Sequence, residues 1–285
     1  MKGSTSVSPV EAATSENQKI VDRFFHDRSC YWRDVYQAET LSAFIYRERR
    51  SAVLSMIDKL RLPERSHALE VGCGAGSTSV ALAKRGYKVT AVDTVDQMLD
   101  LTRDAALDAD LGTNVETSLA DICQLSFPSQ YFDLVLAVGV LPWLEKPGKA
   151  VLELYRVTKS GGYVILTADN AWSLNQILDP LCFPLLRTLR WQIVEILEKF
   201  NIWRRPKPPL HRYSIKQIDA LISQAGLHKL AGRTLGFGPF TLFRQKLLPE
   251  SVGVKVHQKI QALADRQLPG FRSFGVGYLV CAQKS

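Results

Sequence analysis

Residues 68–86 read ALEVGCGAGSTSVALAKRG, three glycines between a short apolar run and a run of helical spacing. The apolar run predicts a strand, and STSVALAKRG predicts a helix. A glycine bend between them brings backbone close to a ligand and permits positive φ. A bend of this kind, after a first strand and opening a helix, is a nucleotide-type site. The glycines fall at Gly72, Gly74 and Gly76, with Ser77 next, so the order is GxGxG and not the dinucleotide GxGxxG. Glu70 ends the strand just before them. A carboxylate there disfavours phosphate and suits a cationic ligand.

Two further acids follow at strand tips. Asp93 ends KVTAVD, where an acid suits a ribose diol. Asp121 ends a third predicted strand within LADI, and an acid beside a backbone N–H suits an adenine edge. An amino-acid end, a ribose and an adenine without phosphate describe S-adenosylmethionine (SAM). Here the sequence resembles the class I SAM-dependent methyltransferases, of small-molecule type. The matching runs are LEVGCGAG (69–76), VTAVD (89–93), ADI (120–122), FDLVLA (132–137) and RVTKSGGYVIL (156–166). The resemblance implies that Gly72, Cys73, Gly74 and Gly76 wrap the methionine part of SAM, with Glu70 at its amino group. It implies Asp93 and Thr94 at the ribose, Met98, Asp121 and Ile122 at adenine, and the Ala137 carbonyl at the amino group. The product would be S-adenosylhomocysteine (SAH).

Outward from this core the chain alternates strands and helices: HALEVG, KVTAVD, NVETSLAD, FDLVLAVGV and YVILTADN with helices between them. That pattern predicts an α/β fold with a parallel sheet covered on both faces, and the resemblance implies its Rossmann-like, mainly parallel seven-stranded form. GKAVLELYRVTKSGG reads as a helix whose glycine pair ends it. SIKQIDALISQAGL reads as a later helix with Ser214 as N-cap, and GVGYLVCAQK as the last strand. The first 18 residues read as a disordered tail. Residues 19–62 read as a helical cap of two helices, and 63–285 as the SAM-binding domain, with an inserted lid over 171–212.

The cap contains FFHDRSCYWRDVYQ and IYRERR. It resembles the caps of small-molecule methyltransferases, the magnesium-protoporphyrin enzymes among them, although the C-terminal third departs from those. Such caps cover SAM and close the acceptor pocket, which nominates Tyr36, Tyr46 and Arg50 for the cofactor and Trp32 for the acceptor. The same aromatics serve equally well as a core stripe. Trp143, Trp191, Trp203 and Tyr213 are the other acceptor candidates. His211, after the Pro-rich end of the lid, is the candidate general base, with Asp169 the other catalytic candidate.

Composition narrows the classes. The 285 residues, 46% hydrophobic, suffice for one sizeable core. Five cysteines without CxxC or metal spacing read as reduced thiols, and the start lacks a signal peptide, which together suggest the cytoplasm. No uninterrupted apolar run approaches the roughly 20 residues of a membrane span. The formal charge of +8 suggests anionic partners. Yet the strand-four exit AVGVLPWL lacks the Asn/Asp-Pro-Pro-aromatic run of base-methylating enzymes, so no nucleic acid is expected. Val138 and Gly139 stand where metal-dependent catechol enzymes place an acid, so no metal is expected. The lid interleaves Trp172, Leu178, Phe183 and Leu185 with arginines, which suits an apolar acceptor and leaves peripheral membrane contact open. The expected function is SAM-dependent methylation of a small, largely apolar molecule, on oxygen first. A natural product, a quinone-like molecule or a lipid-linked one fits. Methylation on carbon or nitrogen, and a non-catalytic SAM-binding protein, are the alternatives. The oligomeric state is not specified by the sequence.

Overall fold

A computed structural model describes residues 15–186, 189, 192, 199 and 208–285. Its centre is a seven-stranded sheet: β1 (His67–Val71), β2 (Lys88–Asp93), β3 (Val115–Leu119), β4 (Phe132–Ala137), β5 (Thr158–Asp169), β6 (Leu227–Leu235) and β7 (Gly277–Lys284). The spatial order is β3-β2-β1-β4-β5-β7-β6. Pairings are parallel except those of β7, which runs antiparallel to both β5 and β6. The expected mainly parallel sheet is therefore present. The chain leaves β1 outward through β2 and β3, then returns to lay β4 on the other side of β1. That reversal opens a crevice at the carboxyl ends of β1 and β4, the usual ligand position in such sheets.

Helices cover both faces. On one, α6 (Pro147–Val157) and α8 (Ile215–Gln224) bury Leu154, Val157, Ile218 and Ile222 against Val135, Val164 and Val280. On the other, α3 (Leu41–Leu60), α4 (Ser77–Ala83) and α5 (Asp96–Asp108) bury Val53, Ile57, Leu82 and Leu99 against Leu134, Leu136 and Ile165. Removing such apolar surface from water is the main stabilising term. Ser214 caps α8 in a full capping box with Gln217, as its spacing predicts. C-terminal helix α9 (Glu250–Asp265) joins the cap to the sheet through His257. His257 is fully buried; its Nδ1 accepts from the Phe237 N–H at 3.0 Å and its Nε2 lies 2.9 Å from Glu48 Oε2 on α3.

Three expectations need correction. The cap holds three helices, since Gln37–Thr40 break the second from the third: α1 (Glu16–His26), α2 (Ser29–Asp34) and α3. Helix α1 begins inside the stretch read as a tail, because the Ser15 hydroxyl accepts from the Gln18 N–H at 3.1 Å and caps it. Finally, the Gly161–Gly162 pair does not end a helix. Helix α6 stops at Val157, Thr158 is already extended, and the glycines lie within β5. A Cβ on Gly162 would crowd the Asp133 carbonyl at 3.0 Å, where the β4–β5 register shifts.

Of the segment read as a lid, the structure describes α7 (Leu174–Leu178) and a 3-10 turn over Pro184–Leu186. Trp191 and Trp203 lie outside the described residues, as do Arg187, Arg190, Arg204, Arg205 and Lys207 of the basic run. Asp179 is fully buried and ties this segment to the loop after β6. Its Oδ2 accepts from Thr241 Oγ1 at 2.7 Å and from the Arg244 N–H at 2.8 Å. Leu185, Leu189, Phe243 and Leu247 are exposed nearby in sequence to that tie.

Candidate functional site

Backbone geometry builds the first wall of the crevice. The Gly72 and Cys73 amides donate to the Val92 carbonyl at 2.7 and 3.1 Å, hooking the glycine bend over β2. Gly74 has φ +54 and Gly76 φ +76, conformations that cost an L side chain about 1–2 kcal/mol. Their surroundings differ. A Cβ on Gly76 would sit 2.8 Å from the Thr102 Cα, whereas one on Gly74 would meet nothing within 4 Å. Gly76 thus serves helix packing, and Gly74 keeps an open face.

Acids gather at the same end. The Asp93 carboxylate accepts from the Gly74 N–H at 3.0 Å and from the Val95 N–H at 3.1 Å. Burial pushes its carboxyl up to about 6, against the downward pull of those amides. Glu70 is 3% exposed and accepts from the Ser79 hydroxyl. Burial pushes it up to about 7, opposed by hydrogen bonds from Ser79 and Thr78 and by the charge of Arg50. Asp121 turns its carboxylate to the Cys123 N–H at 2.8 Å. The cap supplies a fourth acid. Asp22 on α1 accepts from Thr94 Oγ1 at 2.7 Å and from Gln18 Nε2 at 2.8 Å, so α1 is latched to the residue after Asp93. Burial raises the Asp22 carboxyl too, more than those two bonds lower it.

Glu70, Asp93 and Asp121, though not Asp22, line one cavity of about 650 Å³, a size typical of small-molecule sites. Glu70, Gly72, Cys73, Gly74, Asp93, Thr94, Met98, Asp121 and Ile122 line it from the sheet. Tyr36, Tyr46, Trp32 and Trp143 line it from the cap and the strand-four exit, and Asp169 from the tip of β5. The aromatics form a chain: Trp143 to Phe25 at 5.1 Å between ring centres, Phe25 to Trp32 at 5.5 Å, and Trp32 to Tyr46 at 5.8 Å. Edge and tilted contacts of this kind add to burial in fixing the wall.

Other candidates sit off the wall. Gly76 and Arg50 do not line the cavity, but Arg50 Nη2 donates to the Ser77 carbonyl at 2.7 Å, beside the glycine bend. Arg50 Nε and Ser77 Oγ are buried without a partner among the described residues. Ala137 is fully buried within the sheet, and the wall at the strand-four exit starts at Val138. Tyr213 lies behind the wall, its amide bonded to the Asp169 carbonyl at 2.8 Å. The His211 amide donates to the Pro142 carbonyl at 2.7 Å, and its neighbour Leu210 lines the cavity while His211 does not. Asp169 is therefore the catalytic candidate that reaches the cavity surface. Burial raises its carboxyl, countered by the charges of Arg212 and Arg49.

Sequence reading missed Gln18, Asp22, Phe24, Phe25, Arg28 and Arg49. The signal for Arg49 was its place three residues after Tyr46, which puts both on one helix face. Arg49 stacks on the Tyr46 ring at 5.0 Å and lines the cavity beside Gly139. Arg28 lies 4.1 Å from the centre of the Phe24 ring.

With this geometry in hand, comparison with known proteins is informative. Residues 69–166 match the family described as "Methyltransferase domain". The chain is 35% identical over 111 residues to the malonyl-[acyl-carrier protein] O-methyltransferase of Serratia marcescens, covering 39% of this chain and 41% of that protein. It is 32% identical over 104 residues to a ubiquinone biosynthesis O-methyltransferase of Coxiella burnetii, covering 36% and 44%. The chain thus spans less than half the length of these curated relatives. In fold it is similar to magnesium protoporphyrin IX methyltransferase of Synechocystis PCC 6803 with bound SAH, with a TM-score of 0.62, 15% identity, and coverage of 95% and 100%. That likeness extends to the C-terminal third, where the sequence departs.

Proposed function

We propose that this chain, whose residues 69–166 form a class I methyltransferase domain, transfers the methyl group of SAM to an oxygen of a small, largely apolar acceptor. The observation that carries the reading is the Asp93 carboxylate, fixed by the Gly74 and Val95 amides at the edge of an acid-lined cavity. An anionic pyrophosphate would face Glu70, Asp93 and Asp121 together. A phosphate-free, cationic adenosine compound suits them.

The residues present fit SAM. Asp93 accepts from the ribose hydroxyls, and Met98, Asp121 and Ile122 enclose adenine. The open face of Gly74 lets the chain approach the methionine part. The orphaned Arg50 Nε and Ser77 Oγ have the donor chemistry for its carboxylate. Bound SAM supplies its own activation, a methyl group on a sulfonium. What the protein adds is alignment, worth roughly 7–11 kcal/mol in well-oriented systems. In this reading adenosine lies over β2 and β3 and the amino-acid end over β1. The acceptor then lies over β4 and β5, where Tyr46, Trp143, Val138 and Asp169 close the cavity. The aromatic chain excludes water there. We extend the reading to the exposed Leu178 and Leu185 on either side of Asp179 in sequence, which suit contact with the apolar layer of a membrane; sedimentation with lipid vesicles tests this.

The experiment is calorimetry of the purified chain with SAM, SAH and NAD, followed by incubation of labelled SAM with a cell extract. Binding of SAM and SAH but not NAD, with label passing to a small apolar product, supports the reading. Preference for NAD, or SAM binding without SAH release in any extract, contradicts it.

A further inference from the structure

The cavity is polarised. Glu70, Asp93 and Asp121 line its proposed adenosine end, while the arginines that line it, Arg28 and Arg49, come from the cap: Arg28 lies over Phe24, which packs on Trp143 of the strand-four exit, and Arg49 lies against Gly139. Arg49 is the unusual one. Its neighbours on α3 are occupied: Arg47 Nη1 donates to the Tyr36 and Ala38 carbonyls at 2.8 and 2.9 Å, and Arg50 bonds Ser77. Arg49 has no hydrogen bond or ion pair among the described residues; its guanidinium lies over the Tyr46 ring and within electrostatic range of Asp169. Its guanidinium would lie 3.4 Å from a Cβ on Gly139, at the mouth of β4 where the acceptor sits. A half-buried guanidinium with five donors and none engaged in a hydrogen bond among the described residues is suited to take an acceptor from a ligand. Planar, forked donors recognise carboxylates best. The Trp32 Nε1–H, buried and without a partner among the described residues, belongs to the same aromatic wall.

We propose that the acceptor is an apolar carboxylic acid, about the size of a fused aromatic ring, held by Arg49 through its carboxylate and methylated on that carboxylate. This deepens the methyltransferase reading and rests on it. The chemistry balances without a base. A carboxylate oxygen forms a bond to the methyl carbon, and the carbon–sulfur bond breaks with its electron pair kept by sulfur. The products are a methyl ester and SAH, and no proton is transferred. That removes the need for His211, which does not reach the cavity wall. It also gives Asp169 a different part. Asp169 lies within electrostatic range of Arg49 and Arg212 and, when ionised, offsets part of the positive charge at the acceptor end. The aromatic chain from Trp143 to Tyr46 receives the apolar body.

The test uses the full chain loaded with SAH, titrated with naphthoate and with its uncharged amide, and read by tryptophan fluorescence, since Trp32 and Trp143 line the cavity. A hydrogen-bonded charge pair predicts that naphthoate binds at least about tenfold more tightly than the amide. Arg49→Gln is expected to abolish the preference while leaving SAH affinity unchanged, and Arg49→Lys to keep part of it. Equal binding of acid and amide overturns the proposal. So does a loss of SAH affinity in Arg49→Gln with the acid preference intact, since Arg49 would then hold the cofactor's own carboxylate. A second arm treats the labelled extract product with mild alkali. Release of the label as volatile methanol marks an ester and supports the proposal; alkali-stable label marks an ether or C-methyl and overturns it. Failure of the wild-type chain to bind SAH at all would instead remove the methyltransferase reading beneath it.

Discussion

The Gly74 amide donates to Asp93 Oδ2 at 3.0 Å, joining the glycine bend after β1 to the acid that ends β2. One carboxylate therefore shapes the bend and, in the proposed reading, takes the ribose hydroxyls. Asp93→Ala is expected to weaken SAM binding by at least about 1 kcal/mol, the scale of one lost hydrogen bond to a charged group. Titration calorimetry checks it, and an unchanged affinity would take Asp93 out of the cofactor site.

The two glycines of the bend predict a crossing of effects. Gly76→Ala presses a methyl onto the Thr102 backbone, so it lowers thermal stability, by about 1–2 kcal/mol for the positive φ alone. Gly74→Ala meets open space and carries a similar backbone strain without the clash. It is expected to unfold at a higher temperature than Gly76→Ala yet bind SAM more weakly. Paired melting and binding curves read both, and parallel losses in the two variants would contradict the assignment.

Burial holds the carboxyls of Asp93 and Glu70 up to about 6 and about 7. Raised values mean that the folded chain keeps protons the unfolded chain has already lost. Ligand-free stability therefore declines as pH rises from roughly 4 toward 7. Asp22 and Asp169, also raised, push the same way. Binding of SAM calls for the ionised forms, so its affinity should fall on acidification below about pH 7, with proton release on binding. The increase in melting temperature caused by SAM should thus be larger at pH 8 than at pH 5. A shift independent of pH would mean that neither acid ionises on binding.

The latch between Asp22 and Thr94 connects the cap to the tip of β2, the proposed adenosine end. Thr94→Val removes the hydroxyl and leaves the partly buried carboxylate with Gln18 alone. Faster release of SAM in stopped-flow measurements is expected, by several-fold for about 1 kcal/mol of lost hydrogen bonding. An unchanged release rate would show that α1 does not gate that end.

Much of the core was legible because local signals and fold agreed. The strand, glycine bend and helix over 67–83 share one short stretch, and the acids Asp93 and Asp121 close β2 and follow β3. The glycine pair at 161–162 misled because a helix C-cap and a register shift in a strand both draw on glycine. The antiparallel placement of β7 between β5 and β6 depends on pairing with β5 across more than a hundred residues, which no local pattern encodes. Within RERR, adjacent positions differ by about 100° around the helix. That rotation sends Arg50 to Ser77, Arg49 into the cavity and Arg47 to the α2–α3 loop. The sequence shows three arginines; only their packing separates their tasks.

A crystal structure of the chain grown with SAH is the most direct test. The account predicts adenosine between Asp93 and Asp121, its ribose hydroxyls on Asp93, and the amino-acid end over Gly72 and Gly74 below Arg50. Density for SAH elsewhere, or an empty crevice at the tips of β1 and β4 with the ligand in excess, would contradict it.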